Sequence, residues 1–597
     1  LVALGAAPFA VLAPIVILAV LVPDTMGSGV AWTAIVWGVA VLASALGLIW
    51  FRGSARGLIE GWKDTRGAGL TAIVSSVAAI GMSLVAMGGL GTPLQRRDAV
   101  FHLNIVAGIK ADWSTVDPLG LSGWLTGHPT STTFYPSGFH SLAAALPGDP
   151  VVASNTVALL SIAIWIVGLT ALVSVLLPYV RGAWFATPIL ALCTTSFPYI
   201  SLFRHGQWAF ALSLALLPAL LAILVCALRE RKIGFFALVS AGAISIAGTQ
   251  PSNLAIPAFA VVCMGIAGLF ARGSENSRYP SRRACWLIVG VGLLGYTALW
   301  FVPKLKSMAN FERPDFRLAD PLIDTIFWGH FHQRDTVPNQ LSVVLAGLTV
   351  VGVVLLVKDL RTRWAGLMTV LMVAAVPFTN MDMPLRIITA PWYRDPERMQ
   401  ALATIFLVVA AAAAIGWLTQ FVRTRLSRES RGLTAALAVG LTIVAIAPTA
   451  AGRLEMQYTL TKENFQGGGV YMKGQLAWDD SQTQWWRDQR DVIGDATVVA
   501  DPASGGILLP ATVGIRVFPA FPATDELSET GQNLLRALAR GNEASAEVCE
   551  FVRDHDIQYV FVREAMNTRF GNLIIRRATM EKHGEVIDEW GDGALFR

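Results

Sequence analysis

In RRDAVFHLN, residues 96–104, Asp98 and His102 stand four positions apart, so on a helix their carboxylate and imidazole share one face. A carboxylate held beside apolar surface is pushed toward neutrality and suits general-base work on a hydroxyl. The same pattern also fits a plain helix start with Asp98 at its positive end, and the local residues leave both readings open. Further on, TSTTFYPSGFHSLAAAL (130–146) sets Tyr135 and His140 about a proline turn, either as an interfacial anchor or as an acceptor contact. MPLRIITAPWYRDPERMQ (383–400) places Arg394 and Arg398 four apart at a helix entrance. Their guanidinium forks suit a phosphate, with Arg204 and His205 of the short turn FRHGQW as companions. The competing reading pairs these arginines with Asp395 and Glu397 or with lipid headgroups. Asp315, His330 and His332 fall in another charged stretch, 303–340. The HxH pair hints at a metal, but in a loop its spacing is weak, so a divalent cation stays open and no other cofactor is expected.

These residues interrupt a very apolar chain. Of 597 residues, 54% are hydrophobic and only 15% charged, with a mean hydropathy of +0.55, which is the make-up of an integral membrane protein. The net charge of +5 does not point to nucleic acid, because the arginines cluster between apolar spans. Cys193, Cys226, Cys263 and Cys285 lie in or beside such spans and Cys549 stands alone, so neither a disulfide framework nor a CxxC metal site is expected. About thirteen spans fit the hydrocarbon core, near 2–23, 28–51, 69–90, 151–177, 183–202, 207–228, 233–249, 253–271, 284–302, 340–357, 364–379, 400–421 and 432–450. Residues 2–23 read as a retained span, since no small-residue cleavage site follows, and an opening at Leu1 inside an apolar run leaves a longer natural N-terminus open.

Basic clusters mark alternate loops: Arg52 to Arg66, Arg181, Arg229 to Lys232, Arg272 to Arg283, Lys358 to Arg363, and Arg423 to Arg431. That parity predicts a cytoplasmic N-terminus and an outer position for residues 452–597. The three long loops, 91–150, 303–339 and 380–399, share the outer side and carry the reactive residue types. No span holds an Asp, Glu, Lys or Arg in its interior, which argues against an ion-coupled transporter. The expected division is a transmembrane domain, 1–451, and an extracytoplasmic α/β domain, 452–597. In the second, ATVVAD (496–501), TVGIRVF (512–518) and IQYVFVRE (557–564) read as strands, and 529–541 and 543–554 as helices. DPASGG (501–506) has too few glycines, wrongly spaced, for a phosphate-binding loop.

About thirteen spans, an acidic residue in the first long outer loop and a C-terminal α/β domain resemble the GT-C membrane glycosyltransferases. Three spans before Asp98, followed by FYPSG at 134–138, look closest to actinobacterial cell-envelope arabinofuranosyltransferases and their uncharacterised actinobacterial relatives. The resemblance implies transfer of a sugar, of the arabinofuranose or mannose class, from a polyprenyl-phosphate donor to an envelope glycan or lipid acceptor at the outer face of a bacterial plasma membrane. It implies that Asp98 is the first-loop catalytic acid, here with Arg97 where many relatives carry a second acid. Asp98 is then the base, His102 orients it or contacts donor phosphate, and Arg394, Arg398, Arg204 and His205 bind the phosphate. Membrane lipid and a glycan or glycolipid are the expected partners. A polysaccharide or lipid transporter and an envelope ligase or acyltransferase are the competing classes.

Overall fold

The computed structural model describes residues 1–21, 38, 55–111, 113, 135–270, 281–301, 303–313, 317, 319–329, 341–382, 385–426, 430–466, 478–500, 505–520, 527–563, 569–570 and 573–597. Its helices are α1 (Val2–Leu21), α2 (Ala55–Met87), α3 (Arg97–Lys110), α4 (Gly138–Ala144), α5 (Pro150–Leu176), α6 (Arg181–Leu192), α7 (Trp208–Glu230), α8 (Ile233–Thr249), α9 (Ala255–Leu269) and α10 (Arg282–Leu299). They continue with α11 (Pro303–Ala309), α12 (Ala319–Ile326), α13 (Val343–Lys358), α14 (Arg363–Phe378), α15 (Pro396–Arg425), α16 (Arg431–Gln466), α17 (Asp480–Ile493), α18 (Glu529–Arg540) and α19 (Ala546–Asp554). Among the described residues eight helical stretches are long and apolar enough to cross a membrane, and α8, α13 and α14 are shorter apolar helices. This is a multi-pass membrane protein. The span expected at 28–51 lies outside the described residues.

The bundle is built around α15, which follows from its composition. The run AAAAAI at 410–415 presents so little side-chain bulk that α6, α13 and α14 all pack against it, as small residues allow between membrane helices. Of its most apolar stretch, 89% is buried, against 28% for α16 and 39% for α1 and α2, whose exposed leucines, isoleucines and valines form the lipid-facing perimeter. Two helices begin with the same device. Asp149 caps α5 by accepting from Val152 N (2.8 Å) ahead of Pro150, and Asp395 caps α15 by accepting from Glu397 N (3.0 Å) and Arg398 N (3.4 Å) ahead of Pro396. Each cap satisfies donors that the first helical turn leaves open, for about 1 kcal/mol.

Three sequence expectations need correction. The span at 183–202 is broken: α6 ends at Leu192, Phe197 is extended, and a π-helix, Ser196–Arg204, carries the chain to the bundle end. The last span does not stop at 450, because α16 continues to Gln466 and runs through the expected domain boundary at 451. Nor does α3 lie on the surface. Residues 99–109 are buried, between α4 and α5 on one side and residues 506–512 of the C-terminal domain on the other.

That domain contains β1 (Thr497–Ala500), β2 (Arg516–Phe518), β3 (Ile557–Arg563), β4 (Arg569–Phe570), β5 (Leu573–Ile574), β6 (Val586–Trp590) and β7 (Gly593–Phe596). Five strands form one sheet in the order β2-β1-β3-β7-β6. β1 is parallel to β2 and β3 and buried throughout, whereas β7 pairs antiparallel with β3 and β6. β4 and β5 form a separate antiparallel pair. β1, β3, α18 and α19 match the sequence expectation, and the 512–518 run is strand only from Arg516 onward.

Candidate active site

The reactive residues collect at one end of the bundle, where four chain segments meet. Gly206 makes the first junction. It sits at φ +67°, and a Cβ there would lie 2.6 Å from Ala99 Cβ and 2.8 Å from Ala99 N, so only glycine lets the FRHG turn close against the start of α3. The turn that carries Arg204 and His205 therefore closes on Ala99, the residue after Asp98. The second junction is Gly138, whose added Cβ would meet Gly248 O at 2.6 Å, so α4 seats directly on the end of α8 and His140 comes under α3.

On α3 the Asp98 side chain is half-buried, and among the described residues it takes part in no hydrogen bond or ion pair. Tyr135 is its electrostatic neighbour: burial first, then the Asp98 charge, raises the phenol well above its ordinary value, Arg398 opposes this and Tyr393 adds to it. Arg398 lies over the rings of Phe210 (5.3 Å) and Tyr393 (5.6 Å). Arg96 belongs here too, held to Asn464 of α16, with burial and the Arg204 charge lowering its pKa and Glu463 opposing. Asp98 and Arg398 thus both act on Tyr135, the Arg204 charge reaches Arg96, and two aromatic rings lie against Arg398.

The arginines are partly neutralised by Asp395 and Glu397, the acids that compete with phosphate for them. Glu397 pairs with Arg204 (3.7 Å) and with His205, while Asp395 pairs with Arg313 (3.2 Å) and Arg398 (3.6 Å). Burial lowers the His205 pKa, but Glu397 raises it through its charge and hydrogen bond, with Asp395 adding and Arg204 opposing; the net shift is upward. The signal for this network was present in RDPER, 394–398, where two acids stand between the arginines at the head of a helix.

His102 faces elsewhere. Its Nδ1 lies 2.8 Å from His140 Nε2, and the two rings are enclosed by Phe101, Tyr135, Phe139 and Trp208. Burial, the His140 charge and the Arg398 charge hold His102 well below its ordinary pKa, and burial takes His140 to about 3. They are a neutral pair, in which one ring nitrogen donates and the other accepts. His102 is thus positioned by His140, and the expected contact with Asp98 is not made. Arg394 is also redirected: at φ +54° its Nε donates to Thr379 O (2.9 Å) and its Nη1 to Phe311 O (3.1 Å), fastening the 380–399 loop to the 303–339 loop. Asp315, His330 and His332 lie outside the described residues, and among those described no three His, Cys, Asp or Glu side chains gather as metal ligands.

The whole length, residues 1–597, matches the family described as "Family of unknown function (DUF6541)". The chain belongs to that family. No curated protein sequence matches this DUF6541 member. Among solved structures it is similar to the apo oligosaccharyltransferase of Archaeoglobus fulgidus, at 10% identity and a TM-score of 0.48, over 82% of this chain and 69% of that one. The same oligosaccharyltransferase tethered to an acceptor peptide with the NVT sequon gives 10% and 0.45 over the same shares. Arabinofuranosyltransferase AftD from Mycobacteria gives 14% and 0.42 over 89% of this chain, which spans 41% of the AftD chain.

Proposed function

We propose that this DUF6541 member is a membrane glycosyltransferase that moves a sugar from a polyprenyl-phosphate donor to a cell-envelope glycan or glycolipid. One observation carries most of the weight: Asp98, a carboxylate with no hydrogen-bond or ion-pair partner among the described residues, stands at the bundle end beside a group of arginines. Displacing a lipid phosphate from an anomeric carbon needs a base for the incoming hydroxyl and positive charge for the departing phosphate. In this assignment Asp98 takes the acceptor proton. Arg398 and Arg204 hold the phosphate oxygens, displacing part of their present pairing with Asp395 and Glu397, and His205 follows Glu397. Arg394 acts by positioning the loop. Tyr135 contacts the sugar, and the lipid-facing helices accommodate the prenyl chain.

The basic ends of the helices support an outer placement of this site. Gly182, after Arg181, packs on Thr419, and Arg229 donates to Val175 O, so several arginine-bearing ends share the opposite end of the bundle. With those ends cytoplasmic, the site and the sheet domain face outward from the plasma membrane. The decisive assay is transfer from radiolabelled polyprenyl-phosphate sugars in membranes, comparing wild type with Asp98→Asn. Consumption of one donor by wild type and a loss of at least about 100-fold in the variant are expected. If no donor is consumed, the glycosyltransferase assignment fails; an equally active variant removes Asp98 from the base role.

A further inference from the structure

The run APWYRDPER, 390–398, holds a backbone that its residue types do not favour. Tyr393 and Arg394 lie one after the other in the left-handed region, at φ +55° and +54°. A bulky L-residue rarely stays there, and glycine is the usual occupant. Such a conformation persists only where its surroundings overdetermine it, and it collects where a side chain has a task.

The braces come from several directions. Trp392, fully buried, donates from Nε1 to Asn253 Oδ1 (2.8 Å), and Asn253 Nδ2 donates to Ser213 Oγ on α7 (3.0 Å). Arg313 donates from Nε to Tyr393 O (3.1 Å) and from Nη2 to Asp395 Oδ2 (3.2 Å). Arg394 holds the Thr379 and Phe311 carbonyls, and Asp395 caps α15. All of these groups are engaged in fixing the loop. The Tyr393 side chain is only partly buried, and among the described residues its hydroxyl makes no hydrogen bond.

The ring of Tyr393 is already in use. Arg398 lies over it, 5.6 Å from the centroid, and Phe311 meets it at 5.7 Å with the ring planes 78° apart. A sugar has little aromatic face left to stack on, so the hydroxyl is the part that can touch a ligand. Tyr393 acts on Tyr135, as Asp98 and Arg398 do, so the 380–399 loop and the acid-bearing α3 meet at one phenol. A neutral donor suits this place. Asp395 pairs with Arg398 and Arg313, and Glu397 with Arg204, so these arginines offer a phosphate less than their full charge. A phenol O–H adds a hydrogen bond to a phosphate oxygen without adding a charge that another acid must balance.

We propose, resting on the polyprenyl-phosphate reading of this site, that Tyr393 binds the donor phosphate: its hydroxyl donates to an oxygen of the phosphate whose charge Arg398 balances. The left-handed pair presents that hydroxyl, and the contact of the Arg398 guanidinium with the ring fixes donor and cation relative to each other. The test is equilibrium binding of farnesyl phosphate and of farnesol to the full chain in nanodiscs. Wild type should prefer the phosphate. Tyr393→Phe, which keeps the ring against Phe311 and Arg398, should weaken farnesyl phosphate by about tenfold and leave farnesol unchanged. Undiminished affinity for farnesyl phosphate in the variant overturns the role of Tyr393 and leaves the prenyl-phosphate reading standing. An equal loss for both probes does the same, because it marks a change in pocket shape. A wild type that binds the two probes equally removes the prenyl-phosphate reading itself, and the role of Tyr393 with it.

Discussion

The histidine pair shows how little a residue's type says before its surroundings are known. His102 shares a helical face with Asp98 and had the spacing for a catalytic partner, yet its Nδ1 is engaged by His140, a residue 38 positions away that enters through the FYPSG turn. Nothing local to RRDAVFHLN encodes that contact. Because both rings are held neutral, the pair makes an acid-sensitive contribution to stability. In the unfolded chain each histidine binds a proton near its ordinary pKa of about 6.5, whereas in the native pair protonation is displaced downward, to about 3 for His140. The unfolded state therefore binds more protons as pH falls. The contribution is complete above about pH 6.5 and declines on acidification, at up to about 1.4 kcal/mol per pH unit for each ring. Melting curves from pH 7.5 to 4.5 should fall more steeply for wild type than for the double variant His102→Phe, His140→Phe. Parallel curves would mean that the pair does not titrate in this way.

At the scale of elements, hydropathy located the helices well because a membrane span announces itself by length and composition alone. α8 begins and ends on the expected residues, 233 and 249, and the ends of α5, α7 and α14 fall within one or two. What hydropathy did not reveal was the interruption at Thr194–Phe197, since SFPYISLFR carries no charge before Arg204 and a change from α- to π-helical backbone leaves no mark in hydropathy. Nor did it reveal the burial of α3, whose apolar faces suited a lipid surface as well as a protein one. The turn that ends the interrupted span matters most for the site. Gly206→Ala introduces both a left-handed alanine, at about 1–2 kcal/mol, and a Cβ overlapping Ala99, so the start of α3 must shift away from Arg204 and His205. Gly591→Ala is the control, with φ +59° and no atom within 4 Å of the added Cβ. Both variants should lose a few degrees of Tm, but only Gly206→Ala should also lose transfer activity, by tenfold or more. Equal activity in the two would separate the turn from the site.

For the molecule as a whole, the sheet domain is part of the site end and not an appendage to it. The strands were legible in their β-branched runs, while the docking rests on polar residues whose partners lie some four hundred positions away. Asn104, fully buried in the middle of α3, donates from Nδ2 to Ile507 O (3.0 Å) and Ala520 O (2.7 Å). Gln95, just before α3, exchanges two hydrogen bonds with the Trp478 backbone, and its own N–H donates to Asn464 O at the end of α16. Asn104 is thus the one side chain on α3 that ties the acid-bearing helix directly to the sheet domain among the described hydrogen bonds. Asn104→Leu keeps the volume but leaves two buried carbonyls without a donor, at about 1–3 kcal/mol. That cost falls on docking and not on the membrane helices, whose contacts the substitution does not touch. Hydrogen exchange should report it as lost protection in residues 505–520 and along α3, with α5, α7 and α15 unchanged. A uniform loss over the whole chain would show that the two domains unfold as one unit, and unchanged protection would show that Asn104 is not what holds them together.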